Sequence, residues 1–306
     1  MAPSFAPFHN DGSLNLDVIP PTPSTCGIRV SLGCGECGAD SAPCRKCEWD
    51  SWRGMSMTVA ERKKLAEAWM ACKKDVATVI VQCGAGCLLD TQELARHAES
   101  LGASGIAVFP CIFDKPKAPM TSSTTWWRWR RRVQDPALLL PHPMKTQVNL
   151  SMSEFLQKGV ERIPTLCGLK FTDRDVSGEG KKCLEVAGGS LTIFNGFDEQ
   201  LQEAVSQGFS CGVNVCYNFS AHHAADILSL MKAGKVDEAK EAQKAIVDLL
   251  GVIFKPTSGF TVAGVKAAMT LLTGLDVGPS RLPVKPLTPA MKESLRADLA
   301  ARGLVK

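Results

Sequence analysis

A lysine stands near the end of an apolar run, Thr165-Leu166-Cys167-Gly168-Leu169-Lys170-Phe171-Thr172-Asp173. An amine buried at a strand end is costly, because desolvation disfavours its charged form and lowers its pKa. The neutral amine that results can attack a carbonyl and form a Schiff base. The bland alternative is a lysine whose tip reaches solvent past the strand end, and position alone leaves both open. Two other stretches invite chemistry. The pairs Cys34/Cys37 and Cys44/Cys47 have the spacing of thiolates that hold zinc tetrahedrally, although the six residues between the pairs are few for a zinc ribbon. Trp126 to Arg132, WWRWRRR, mixes guanidinium and aromatic groups as single-stranded nucleic-acid sites do.

The bulk properties restrict these options. The 306 residues carry a net charge of only +4, so the rest of the chain offers no basic surface to support a nucleic-acid role. Hydrophobic residues make up 45% and charged residues 22%, as in globular proteins generally. The 13 cysteines have no regular spacing, which points to reduced thiols and a cytoplasmic setting rather than a disulfide framework. We expect no secretory leader in MAPSFAPFHNDGS, and no apolar run approaches the roughly 20 residues that span a bilayer. With no HExxH-like pattern either, no metal, nucleic acid or membrane partner is expected.

A lysine at a strand end needs a sheet to hold it. From residue 54 onward the chain alternates. Thr58-x-x-Glu61 is a capping-box pattern, and Leu65, Ala68, Trp69 and Cys72 follow at helical spacing. Strands are expected at 77–81, 105–109, 165–171, 190–194 and 212–216, with helices at 91–101, 151–159 and 198–207 between them. From 221 onward only helices are expected, near 221–233, 235–254, 261–273 and 288–302, punctuated at Gly234, Lys255-Pro256 and Gly278-Pro279. Alternating units followed by helices predict an α/β protein: a parallel (β/α)8 barrel over 1–233 and a helical extension over 234–306. An open doubly wound sheet fits less well, because no glycine-rich phosphate loop follows an early strand. Residues 20–53, rich in Pro, Cys and Trp, and residues 115–147, with WWRWRRR and five Pro, fit neither pattern and have no period.

IPTLCGLKFTDRD, residues 163–175, resembles the segment around the Schiff-base lysine of the N-acetylneuraminate lyase family, within the pyruvate-dependent aldolases. FHNDGSLN at 8–15, MSMTVAERKKLAEAW at 55–69, ELARHAESLGASGIAV at 93–108, FNGFDEQL at 194–201 and GPSRLP at 278–283 are similar to that family's segments, in the same order. The resemblance covers residues 6–20, 54–114 and 148–306. It implies a (β/α)8 barrel with a C-terminal helical extension, usually a homotetramer, that cleaves N-acetylneuraminate reversibly into pyruvate and N-acetylmannosamine. It also implies that Lys170 forms the imine and that Thr172, Gly196, Asp198 and Glu199 hold the polyol of the sugar. No metal or diffusible cofactor is implied, since the protonated imine is itself the electron sink. Asp198 and Glu199 have a plainer reading as acidic groups at a helix N-terminus.

Three departures stand out. Where the family has a G-T-T-G-E-G loop that holds the pyruvate carboxylate, this chain reads Trp49-Asp50-Ser51-Trp52-Arg53-Gly54. Where the family has Y-Y-Y-H-I-P, whose last tyrosine moves the proton, it reads Leu138-Leu139-Leu140-Pro141-His142-Pro143. A substrate-binding serine is replaced by Val215. Codons permitted for residues 137–144 give P-Y-Y-Y-H-I-P when read one nucleotide out of phase. The same shift across 47–54 permits V-N-G-T-V-G-E. Residues about 21–53 and 116–147 are therefore read as out-of-frame stretches, with the cysteine pairs and WWRWRRR as by-products of the wrong phase. The expected consequence is disruption of the second barrel strand, with the fifth left in question, and poor solubility and little turnover. The alternative in another class is a catalytically dead paralogue that binds sugar or a partner subunit.

Overall fold

The computed structural model describes residues 1–19, 54–72, 78–110, 115 and 136–305. Both cysteine pairs and WWRWRRR lie outside the described residues, as does the second barrel strand expected from the family. The helices are α1 (Val59–Ala71), α2 (Leu88–Ser100), α3 (Pro143–Thr146), α4 (Met152–Arg162), α5 (Lys181–Glu185), α6 (Leu201–Ser206), α7 (Ala221–Lys232), α8 (Val236–Phe254), α9 (Val262–Thr273) and α10 (Pro289–Ala300). The strands are β1 (Ile80–Gln82), β2 (Gly105–Val108), β3 (Ala137–Leu139), β4 (Leu166–Phe171), β5 (Thr192–Asn195) and β6 (Cys211–Gly212).

Among the described residues these strands form one sheet in the order β1-β2-β3-β4-β5-β6, every pair parallel. Parallel neighbours need crossover connections, and α2, α4, α5 and α6 fall between successive strands as that rule requires. Side chains alternate across the sheet. Ile106, Val108, Ala137, Leu139, Leu169, Phe171 and Ile193 face outward into a core shared with Leu94, Phe155 and Leu156 of α2 and α4. Ile80, Ala107, Leu138, Leu140, Phe194 and Val213 point to the other face and meet in a second cluster inside the curve of the sheet.

Two expectations need correction. The fifth barrel strand is present: Ala137–Leu139 pairs with β2 and β4, with one register irregularity beside Ala137. The run is apolar and buried on both faces, which is what a central parallel strand requires. The strand expected over 212–216 is only two residues long, because Val215–Asn218 turns into a 3-10 helix. Its apolar run marks burial, and a short apolar run does not distinguish strand from turn.

The N-terminal segment covers the free side of β6. The Met1 amine donates to the Gly212 carbonyl at 2.9 Å, and Asn214 N–H donates to the Met1 carbonyl. The HNDGS stretch then makes a turn, in which Ser13 N–H and hydroxyl both donate to Asp11 Oδ1. The capping box of α1 forms as expected, with Glu61 N–H on Thr58 Oγ1 at 3.2 Å and Thr58 N–H on Glu61 Oε2 at 2.9 Å. Arg281, from GPSRLP, ties these pieces together. Its guanidinium holds the Glu61 carboxylate at 2.6 and 2.9 Å and donates to the Gly12 and Ser56 carbonyls. The same group lies 4.3 Å from the centre of the Phe8 ring. Gly278 is required here: its φ is +69°, and a Cβ would stand 1.8 Å from the Phe8 carbonyl oxygen.

The C-terminal helices pack on α8. Leu249, Val252 and Ile253 meet Val265 and Ala268 of α9 and Leu295 and Leu299 of α10. Ile246 and Leu250 meet Ala224 and Ile227 of α7. Among the described residues no helix is long and apolar enough to cross a membrane.

Candidate active site

Lys170 is the fifth residue of β4, 6% exposed, on the inner side of the sheet. The strand brings it there by alternation, because its neighbours Leu169 and Phe171 belong to the outer core. Burial lowers its amine to about 8, and the Asp198 carboxylate opposes that shift without cancelling it. The solvent-reaching reading of this lysine is thereby excluded. About one-tenth of the amine is neutral at pH 7, against roughly one part in 3000 for an ordinary lysine.

The neighbouring strand supplies the rest. β5 leads into Gly196, whose N–H donates to the Phe171 carbonyl at 2.8 Å. A Cβ on Gly196 would stand 2.4 Å from Thr172 Oγ1, 2.8 Å from the Phe171 oxygen and 3.0 Å from Lys170 Cε. Only glycine lets this loop lie against the lysine. Gly196 therefore lies against both Thr172 and Lys170, and Thr172 is 3% exposed.

Asp198 is buried and has a structural task. Its two carboxylate oxygens accept the N–H groups of Val215 and Cys216, each at 3.0 Å. These are the first amides of the 3-10 turn after β6, so the carboxylate caps that turn while Asp198 also opens its own 3-10 turn, Asp198–Gln200, ahead of α6. Burial raises the Asp198 carboxyl against the pull of those amides. Glu199 follows in the partly exposed turn Asp198–Gln200. Val215 thus contributes a backbone amide, while its side chain packs against the C-terminal helices. Two glutamines that no sequence pattern marks hold this loop. Gln243 of α8 donates to the Asp198 carbonyl at 3.0 Å, and Gln200 donates to the Asp173 carbonyl at 2.7 Å.

Other reactive groups nearby are muted. Burial pushes the Cys167 thiol up to about 11 and the Cys183 thiol up to about 12. His142, just past β3, is another residue that sequence patterning did not single out. Its ring packs edge-on against Phe197, with centroids 6.1 Å apart. Burial and then the Lys170 charge lower its pKa to about 4. Among the described residues no group of three His, Cys, Asp or Glu side chains could hold a metal ion.

A cavity of about 530 Å³ lies elsewhere, between the N-terminal turn and helices α9 and α10. Its cationic wall includes Lys266, whose amine is taken by the Ala6 and Pro279 carbonyls at 3.0 and 2.7 Å. Lys170 is the stronger candidate, because a buried, perturbed amine there lies within reach of the Asp198 charge.

The dihydrodipicolinate synthetase family model matches residues 53–302. N-acetylneuraminate lyase of Gallus gallus is 35% identical over 238 residues, which is 76% of this chain and 75% of that protein. N-acetylneuraminate lyase of Homo sapiens is 32% identical over 252 residues, 80% and 77% of the two chains. The solved sialic acid aldolase of Aliivibrio salmonicida superposes with a TM-score of 0.83 at 27% identity, covering 100% of this chain and 96% of its own. Such neighbours carry the barrel to which a sheet of six parallel strands with outer helices corresponds. By sequence and by fold, this chain is a member of the dihydrodipicolinate synthetase family.

Proposed function

We propose that this chain is a carbon–carbon lyase that cleaves N-acetylneuraminate into pyruvate and N-acetylmannosamine through an imine on Lys170. The observation that carries the reading is the buried amine at about 8, on a side chain packed against Gly196 at the end of a central parallel strand. The 35% identity to a named N-acetylneuraminate lyase supports the substrate. In the proposed cycle the neutral Lys170 amine adds to the keto carbon and water leaves. The protonated imine then draws the electrons of the neighbouring carbon–carbon bond, the aldehyde product departs, and an enamine remains. Protonation of that enamine and hydrolysis release pyruvate and restore the amine. Thr172 and Glu199 offer hydrogen bonds to sugar hydroxyls, while Asp198 fixes the loop on which they converge. In this reading the enzyme works in the cytoplasm as a homotetramer and needs no metal or diffusible cofactor.

A second reading, a dead paralogue that retains sugar binding, is favoured by Leu140 and Val215, which stand where the family has tyrosine and serine. Borohydride reduction in the presence of pyruvate tests the first. The wild-type chain should acquire a stable pyruvyl mass on the peptide containing Lys170, and Lys170→Ala should acquire none. No adduct in the wild type, or equal adduct in both, would overturn it.

A further inference from the structure

Aldol cleavage needs a group that takes a proton from the hydroxyl beside the breaking bond and later returns one to the enamine. Tyrosine cannot do this here. The chain has a single tyrosine, Tyr217, which is 1% exposed and bonded to the Asn214 amide at 3.2 Å within the cluster around α7 and α8. The strand that would carry the family's tyrosine places an apolar residue, Leu140, at that point. Leu139 pairs with Leu169, so Leu140 stands beside Lys170. Leu138 and Leu140 face the inside of the sheet, and His142 follows the end of β3 by three residues, where α3 begins. Its ring rests on Phe197, next to Gly196, whose Cβ position lies 3.0 Å from Lys170 Cε.

We propose that His142 is the proton-transfer group of this site, taking the place of the missing tyrosine. The inference rests on the Lys170 imine reading above. As the carbon–carbon bond breaks, its electron pair moves into the imine and becomes the enamine. The hydroxyl proton passes to the imidazole, and the aldehyde carbonyl forms. The imidazolium then protonates the enamine carbon, which regenerates the imine for hydrolysis. No oxidant, metal or further reactant enters. The imidazole is neutral at pH 7, since burial and then the Lys170 charge hold its pKa down, so a ring nitrogen lone pair is available when the hydroxyl proton is released.

The test separates imine formation from proton transfer. Borohydride trapping with pyruvate reports the imine alone, whereas deuterium exchange into the pyruvate methyl group, followed by NMR, also requires the proton-transfer group. The quantity read is exchange rate per trapped adduct. His142→Gln should keep the adduct and lose at least about 100-fold in exchange. Leu140→Tyr in the His142→Gln background should restore part of that loss. An unchanged ratio in His142→Gln, including adduct and exchange falling together, overturns the role of His142. Absence of any adduct in the wild type overturns the imine reading itself, and this inference with it.

Discussion

An amine that releases its proton near pH 8 gives imine formation a distinct pH dependence. Below about 8 the neutral fraction of Lys170 changes tenfold per pH unit, and above it the fraction levels off. The rate of adduct formation with pyruvate should therefore climb from pH 6 to 8 and flatten beyond. A rate that still climbs at pH 10 would mean the lysine is ordinary. The second prediction at this scale concerns Gly196. A methyl group there would collide with Thr172 Oγ1 and the Phe171 carbonyl, so Gly196→Ala should slow adduct formation about tenfold or more by moving the loop off the lysine. Gly251 of α8 has nothing within 4 Å of its Cβ position, and Gly251→Ala should leave the rate unchanged. Lys170 was legible in the sequence because a charged residue ending an apolar strand conflicts with its surroundings. The task of Asp198 was not, because its partners are backbone amides of another element, and side-chain patterns do not record them.

Elements held by local rules were also the ones the sequence disclosed. Thr58 and Glu61 announce α1 by their spacing, and their bonds form as that spacing requires. The clamp that joins α1 to the C-terminal arm was hidden, since Arg281 reaches Glu61 across 220 positions. Bonds from Arg281, the largest cause, hold the Glu61 carboxyl down from 4.5 to about 2. A depressed carboxyl stabilises the fold above its unfolded pKa and loses that contribution as pH falls through the folded one. Arg281→Ala should thus cost about 2 kcal/mol at pH 7, between the values for exposed and buried pairs. Thermal unfolding should show a drop of several degrees at pH 7 that shrinks as pH approaches 2. An unchanged midpoint at pH 7 would show that Phe8 packing alone holds this corner. The strand Ala137–Leu139 forms without the family's tyrosines, because a central parallel strand needs only apolar residues on both faces, and Leu138, Leu139 and Leu140 meet that need.

A barrel is stable as a whole because closure leaves no strand edge open. On one side of the described sheet the main chain of Met1 lies along β6. On the other, among the described residues, β1 pairs only with β2, and the family's second strand falls by sequence within 21–53. The family model begins to match at residue 53, just where the proposed out-of-frame stretch ends. We therefore propose that 21–53 is the stretch read in the wrong phase. Across 137–143 the fit of the leucines in the sheet leads us to expect the chain as written. Sequencing the transcript over the codons for residues 20–54 and 115–148 decides both. The expected result is a threonine-glycine loop restored before Gly54 and Leu-Leu-Leu-Pro-His-Pro retained. A chain carrying the restored loop should then be more soluble than the chain as written and should turn over substrate faster, because the family's second-strand sequence and its carboxylate-binding amides are then supplied together. A transcript that confirms 21–53 as written would sink the frame proposal and leave a lyase scaffold with an altered carboxylate site. One that restores tyrosines at 138–140 would hand the proton back to tyrosine and remove His142 from that role.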